Sequence, residues 1–227
     1  MIPKRLRRLL AELIIADRER RGSDFAHVST WPSRLVGFED LVFLFSSTIL
    51  AHGIASLRLD EGAYLYRLVH ELQPETTVEI GRFRGGSTFL LAAAVESGVV
   101  HSYDLALRQG RDGAELDRQL TGALERYGLA DRVRLHVEDS RTAAPPSTSV
   151  DLLFIDGDHR EEAVRADFEH WSPVVRPRGH VLFHDAVDAP DFAAPFATGP
   201  AHVVAQVNED FERLQAVGSL AHFVRRG

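Results

Sequence analysis

Apolar residues first recur at helical spacing, at Leu6, Leu9, Leu10, Leu13 and Ile14, the stripe of an amphipathic helix that Gly22-Ser23-Asp24 ends. Residues 38–51 read as a buried helix. Asp60 stands as the cap of another, with Tyr64, Leu65, Leu68, Val69 and Leu72 as its apolar positions and Pro74 as its stop. At Thr76 the period shortens. Thr76–Ile80 predicts a strand, followed by Gly81 and the Gly85-Gly86-Ser87 group, then a helical stretch over Thr88–Glu96. Val99–Tyr103 predicts a second strand ending in Asp104, and Val133–Val137 a third. Between them Asp112 and Glu115 form a capping-box pattern for a helix with Leu116, Leu120, Leu124 and Tyr127 on one face, closed by Gly128. Val150–Ile155 is a near-continuous apolar run, as in a central parallel strand covered on both faces. Glu161–Trp171 predicts a helix, after which Pro173, Pro177 and Gly179 punctuate the return to a strand over His180–His184. Pro200 is expected to open a helix through Phe211, and two short strands then flank Val217-Gly218-Ser219 as a hairpin.

Strand and helix therefore alternate over residues 76–185, which predicts an α/β fold with a mostly parallel sheet and right-handed crossovers. The chain has 227 residues, about one and a half times the ~150-residue domain prior, so one generous domain is expected. Residues 1–59 read as a helical N-terminal appendage and 60–227 as the main domain. The chain is 44% hydrophobic and 26% charged, as in a soluble globular protein. It has no cysteine, hence no disulfide, thiolate nucleophile or cysteine metal site, in keeping with a cytoplasmic location. No apolar run has the ~18 residues of a spanning helix, and the first residues lack a secretory signal. Residues 1–21 carry seven basic and three acidic groups, while the whole chain is at −7, so the body is strongly acidic. An acidic body repels polyphosphate; no nucleic-acid partner is expected, and no membrane.

In open α/β sheets ligands bind beyond the carboxyl ends of the strands. All five predicted parallel strands end in acidic groups there: Glu79, Asp104, Glu138-Asp139, Asp156-Gly157-Asp158 and Asp185. Clustered carboxylates repel one another, so a cationic or hydroxyl-rich ligand is expected to compensate them. The spacing Gly81-x-x-x-Gly85-Gly86 is neither a G-x-G-x-x-G dinucleotide turn nor a lysine-containing phosphate loop, which disfavours a nicotinamide oxidoreductase. Asp104, 23 residues after Gly81, stands where a carboxylate accepts the hydroxyls of an adenosine ribose.

Val78-Glu-Ile-Gly-x-x-x-Gly-Gly-Ser-Thr88, followed by Asp104, resembles the cofactor site of class I S-adenosylmethionine-dependent methyltransferases, a Rossmann-like fold whose last strand is antiparallel. Phe154-Ile-Asp-Gly-Asp-His159 and Arg178-Gly-His-Val-Leu-Phe-His-Asp185 resemble the branch that includes bacterial macrolide-sugar and aminocoumarin O-methyltransferases and the cephalosporin-biosynthesis methyltransferase. The resemblance implies S-adenosyl-L-methionine as cofactor and a small-molecule hydroxyl, on a sugar or natural-product precursor, as acceptor. By position it places Glu79 and Gly81 along the methionine half of the cofactor, with Gly85, Gly86 and Ser87 at the close start of the first helix. Asp104 falls at the ribose, Asp139 and Ser140 at the adenine edge, and Asp156 beside the cofactor. Arg82 and Arg84 read as solvated loop arginines.

The metal-dependent relatives imply a divalent ion, Mg²⁺, at Asp156 and Asp185. Where several of them have a second acid this chain has His184, a side chain better suited to Zn²⁺, Fe²⁺ or Mn²⁺. His159 is the first candidate for general base, since an imidazole with an ordinary pKa of ~6.5 exchanges protons near neutral pH, and Asp158 is the second. Metal-independent N- or O-methylation, and a non-catalytic cofactor-binding or scaffold subunit, stay open beside this reading. The irregular stretch Ala186–Gly199 is expected to wall the substrate site, and the N-terminal helices to form its other wall or a homo-oligomer contact.

Overall fold

Among the described residues seven strands lie in one sheet in the order β3-β2-β1-β4-β5-β7-β6. They are β1 (Thr76–Ile80), β2 (Val99–Asp104), β3 (Val133–Val137), β4 (Val150–Ile155), β5 (Val175–Phe183), β6 (Phe211–Leu214) and β7 (Ala221–Arg225). The computed structural model describes residues 24–28, 31–45, 53–106, 112–186, 198–214 and 217–227. The stripe at Leu6–Ile14, residues 46–52 and residues 187–197 of the expected substrate wall lie outside them. β1 to β5 pair in parallel, and β7 runs antiparallel to both β5 and β6. Strand order reverses between β1 and β4, so the ends of these two strands flank the crevice position of an open sheet.

Among the described residues five α-helices pack on this sheet: α1 (Leu59–Leu72), α2 (Gly86–Ala94), α3 (Gly113–Arg126), α4 (Glu161–Trp171) and α5 (Thr198–Val204). On one face Leu65, Val69, Phe89, Leu90, Leu120 and Leu124 meet Leu152 and Phe154 of β4. Phe25, Leu41, Leu44 and Ile54 belong to this same cluster, so residues ahead of α1 are built into the core. On the other face Ile80, Tyr103, Leu153, Trp171, Phe183, Phe211 and Phe223 form a second cluster. Covering β4 on both faces explains its near-continuous apolar sequence. Among the described residues no helix is long and apolar enough to cross a membrane.

Several boundaries differ from the sequence expectation, each for a local reason. The buried helix expected at residue 38 is a 3₁₀ helix over Phe38–Leu44, with Leu41 and Leu44 inward. Asp60 does not cap α1. It lies in the first turn, bonded to Arg58, while Glu61 accepts the Arg58 amide at the helix start. Asp112 caps α3 through the Ala114 amide, but Glu115 is drawn instead to Arg118 and Gln119. β5 begins at Val175 rather than His180, with a register shift that loops out Pro177 and Gly179, because Arg176 is anchored on Asp151 of β4. The last helix stops at Val204, where Asn208 accepts the Asp210 amide in a turn, and Phe211 opens β6 instead of closing a helix.

Gly81 follows β1 with φ +90°, and a Cβ there would overlap the carbonyl of Asp156, the residue after β4. No side chain fits without moving one strand end. Gly81→Ala should therefore lower unfolding free energy by about 2–4 kcal/mol. Urea denaturation measures this, and a change below about 0.5 kcal/mol would contradict the packing.

Candidate active site

The turn after β1 is built from the chain's own buried polar groups. Asp104, closing β2, accepts the amides of Arg82 (2.8 Å) and Phe83 (3.0 Å) on one oxygen and that of Ala106 (2.6 Å) on the other. Phe83 sits at φ +50°, a left-handed conformation these amide bonds hold in place. Any ribose contact by Asp104 is shared with the turn it supports. Glu79 is fully buried beneath the turn, where Oε2 accepts from Thr88 and Ser102 hydroxyls, each at 2.5 Å. Burial pushes its carboxyl pKa up against the pull of those hydroxyls.

The two arginines are not solvated. Arg82 is 2% exposed and Arg84 1%. Arg82 forks onto both oxygens of Asp117 on α3 (2.8 and 2.9 Å) and donates to the Ser102 carbonyl (2.8 Å). Arg84 lies 4.5 Å over the Phe83 ring and reaches the Gly53 carbonyl. The close approaches that Gly85 and Gly86 permit are likewise internal: added Cβ atoms would strike Leu120 and the backbone at Ala55. Ser87, in the first turn of α2, is buried.

At the next strand end Asp139 is paired with Arg141, which holds its carboxyl below the ordinary value. Ser140 donates to Asp167 of α4 at 2.6 Å, and its carbonyl accepts from Trp171. Burial pushes Asp167 up to about 6 despite the Ser140 hydroxyl.

A second polar group forms where β4 and β5 end. His184 is 5% exposed and lies between two carboxylates: Nδ1 is 2.9 Å from Asp156 Oδ1, and Nε2 is 3.2 Å from Glu61 Oε2. His159 Nε2 stands 3.7 Å from Asp156 Oδ1 and 3.6 Å from Asp185 Oδ2. Asp185 Oδ2 is also 3.6 Å from His184 Nδ1. Burial alone would depress His184, but Asp156, Glu61 and Asp185 overcome it and hold the ring well above its ordinary 6.5. His159 is raised in the same sense, by Asp156 and Asp185 against burial. Burial would raise Asp156 and Glu61, yet the facing imidazoles bring each down to about 2, helped at Glu61 by the Ser219 and Arg58 amides.

The structure thus brings together Asp156, His159, His184 and Asp185. Asp158 is not among them, because its carboxylate is turned onto Arg160 at 2.7 Å and depressed by it. Glu61 was not singled out from sequence. Its only signal is a place three residues into α1, where an acid closes the helix start; the reach to a histidine 123 positions away has no local signature. Ser219, at the β6–β7 turn, donates from both backbone (2.6 Å) and hydroxyl (2.9 Å) to Glu61 and so completes this acid's shell.

These shifts set a pH window. Carboxylates with lowered pKa stabilise the fold above their ordinary ~4 and lose that contribution as pH falls toward 2; a raised histidine stabilises below ~6.5 and loses it as pH rises through its folded pKa. The stability gap between wild type and Glu61→Gln should therefore be widest near pH 5–6 and narrow on both sides. Urea midpoints from pH 3 to 9 measure it, and a gap independent of pH would contradict the charge assignment.

Residues 78–186 match the family model described as a methyltransferase domain. The O-methyltransferase TomG of Streptomyces achromogenes, solved with S-adenosylmethionine, superposes with TM-score 0.56 at 19% identity over 76% of this chain and 82% of that one. The O-methyltransferase of Bacillus cereus, solved with S-adenosylhomocysteine, gives 0.57 at 22% identity over 75% and 83%. A methyltransferase of Geobacter sulfurreducens gives 0.56 at 24% identity over 75% and 80%. The uncharacterized protein y4gI of Sinorhizobium fredii is 33% identical over 134 residues, 56% of this chain. The chain spans only about 15% of that curated relative. The glycine turn after β1 and the acid closing β2 fall within the segment that matches the methyltransferase-domain model, and the sheet with its reversed β7 has the Rossmann-like fold of these solved methyltransferases.

Proposed function

We propose that the chain moves a methyl group from S-adenosylmethionine to a hydroxyl oxygen of a small molecule, such as a sugar or another natural-product precursor. One observation carries this reading: the end of β4 packs directly on the glycine turn, with Asp156 donating its amide to Ile80 at 2.8 Å and its carbonyl lying against Gly81. A methyl donor over the turn and an acceptor at the carboxylate–imidazole cluster are then neighbours. The chemistry of the surroundings suits the donor, since its ribose hydroxyls suit the carboxylate of Asp104 and its cationic sulfonium and ammonium suit that of Asp156. TomG, by its description, acts in tomaymycin synthesis, which supports a small-molecule acceptor.

The donor supplies an electrophilic methyl carbon. The acceptor oxygen attacks it in one displacement, the sulfur–carbon bond breaks, and the hydroxyl proton must go to a nearby base. Of the four clustered groups His159 is the imidazole bordering solvent, its side chain 25% exposed against 6% for His184. It is placed to receive that proton when no ion is bound. The Mg²⁺ expected from the metal-dependent relatives does not fit this donor set, half of which is imidazole nitrogen, whereas Mg²⁺ takes oxygen ligands. The hydroxyl-bearing acceptor is the partner proposed for this site, and self-association through the N-terminal residues is proposed with it.

Calorimetric titration with S-adenosylhomocysteine should show one site, and absence of heat up to millimolar cofactor would overturn the reading. Once an acceptor is identified, His159→Gln should lower turnover by about 10²–10⁴ while leaving cofactor affinity within about twofold. Loss of cofactor affinity with unchanged turnover would contradict the role of His159.

A further inference from the structure

Asp167 of α4 is an acid that packing alone does not call for. It is 3% exposed and lies between the ends of β3 and β4: Oδ1 accepts the Ser140 hydroxyl at 2.6 Å, and Oδ2 is 3.8 Å from where a Cβ on Gly157 would stand. Its neighbours Asp139 and Asp158 are each paired with an arginine, whereas among the described residues Asp167 has no ion pair. A neutral side chain would fill this place without the cost of burying a carboxylate. Ser140 is fixed from a second side, because the buried Trp171 donates its indole N–H to the Ser140 carbonyl at 2.9 Å, and the Ala143 amide closes the turn on the Asp139 carbonyl at 2.9 Å. We propose that Asp167 is a positioning residue that sets the hydrogen-bond polarity of Ser140, so that the end of β3 accepts the 6-amino group of an adenine and rejects a 6-oxo base.

This inference rests on the methyl-transfer reading, in which the ribose sits beside Asp104 at the end of β2 and the base reaches the next strand outward, β3. Leu105, just after β2, and Val137, at the end of β3, are exposed apolar side chains that a flat base would cover. A serine hydroxyl has one hydrogen and two lone pairs, and an ionised carboxylate only accepts. Asp167 therefore claims the hydrogen of Ser140, which stays partly exposed, and leaves its Oγ with lone pairs alone for a ligand. Such an atom receives an N–H. Opposite a carbonyl oxygen two acceptors meet and neither is satisfied, so the contact selects by exclusion as well as by attraction. Burial is the main cause that lifts the Asp167 carboxyl to about 6; the Ser140 hydroxyl and Arg141 pull it down, and Asp139 and Asp158 push it up. Above that pH the carboxylate orients the serine. Below it a protonated carboxyl can donate to Oγ and release the serine hydrogen toward the ligand.

The full chain is titrated calorimetrically with S-adenosylhomocysteine and with its 6-oxo analogue, S-inosylhomocysteine, at about pH 8 and about pH 5. At the higher pH the amino compound should bind about 10–100-fold more tightly, and at the lower pH the ratio should fall toward unity. Asp167→Asn keeps the size and removes the charge, and its amide can donate to Oγ. The ratio should then be within about threefold at both pH values. Ser140→Ala, at a partly exposed position, should abolish the discrimination likewise and keeps the test usable if the buried variant does not fold. A role of Asp167 in packing alone would weaken both compounds equally and leave the ratio unmoved. Equal binding of the two compounds by the wild type, or a ratio unchanged in both variants, overturns the proposal. Binding of both compounds without discrimination defeats only the role of Asp167, whereas binding of neither defeats the methyl-transfer reading and this inference with it.

Discussion

A buried imidazole between two carboxylates is the interaction on which this end of the molecule depends. His184 joins Asp156, at the end of β4, to Glu61, in the first turn of α1, and Glu61 in turn takes both donors of Ser219 at the hairpin before β7. Three distant stretches of chain are thereby tied to one ring. Removing one carboxylate would leave a buried charge uncompensated, a far larger penalty than losing a surface ion pair. The same ring holds Asp156 against the glycine turn, so the stability of the sheet's carboxyl edge and the geometry of the reaction site share one set of contacts.

The glycine turn shows the complementary principle. Its carboxylates and arginines shape backbone before they meet any ligand. Asp104 gathers amides, Glu79 anchors hydroxyls, and Arg82 is locked on Asp117. Preorganisation of this kind removes the entropy cost of ordering a loop when a ligand arrives. It also explains why a basic pair can sit in a turn proposed to meet a cationic cofactor: Arg82 is turned down onto Asp117 and Arg84 onto the Gly53 carbonyl.

Much of this was legible in the sequence because the signals are local. The runs Thr76–Ile80, Val133–Val137 and Val150–Ile155 coincide with β1, β3 and β4; β4, covered on both faces, is written as a near-continuous apolar run, and the edge strand β3 as apolar residues alternating with Arg134 and His136. Strand ends carry the chemistry, so Asp156, His159, His184 and Asp185 could be named in advance. Contacts between residues far apart could not. Glu61 looks like any first-turn acid, Asp117 like any exposed helix carboxylate, and Arg82 like a solvated loop cation until its partner on α3 is known. The pairing of Asp158 with Arg160, two residues on, is by contrast a local contact. Periodicity also failed where side-chain bonding overrides it, as at Asn208, which turns the chain into β6.

A crystal of the full chain grown with S-adenosylhomocysteine tests the central claim most directly. The ribose should lie over the Gly81 turn beside Asp104, with the sulfur directed toward the group formed by Asp156, His159 and Asp185. A nucleoside found at another edge of the sheet, or a sulfur pointing away from that group, would contradict it.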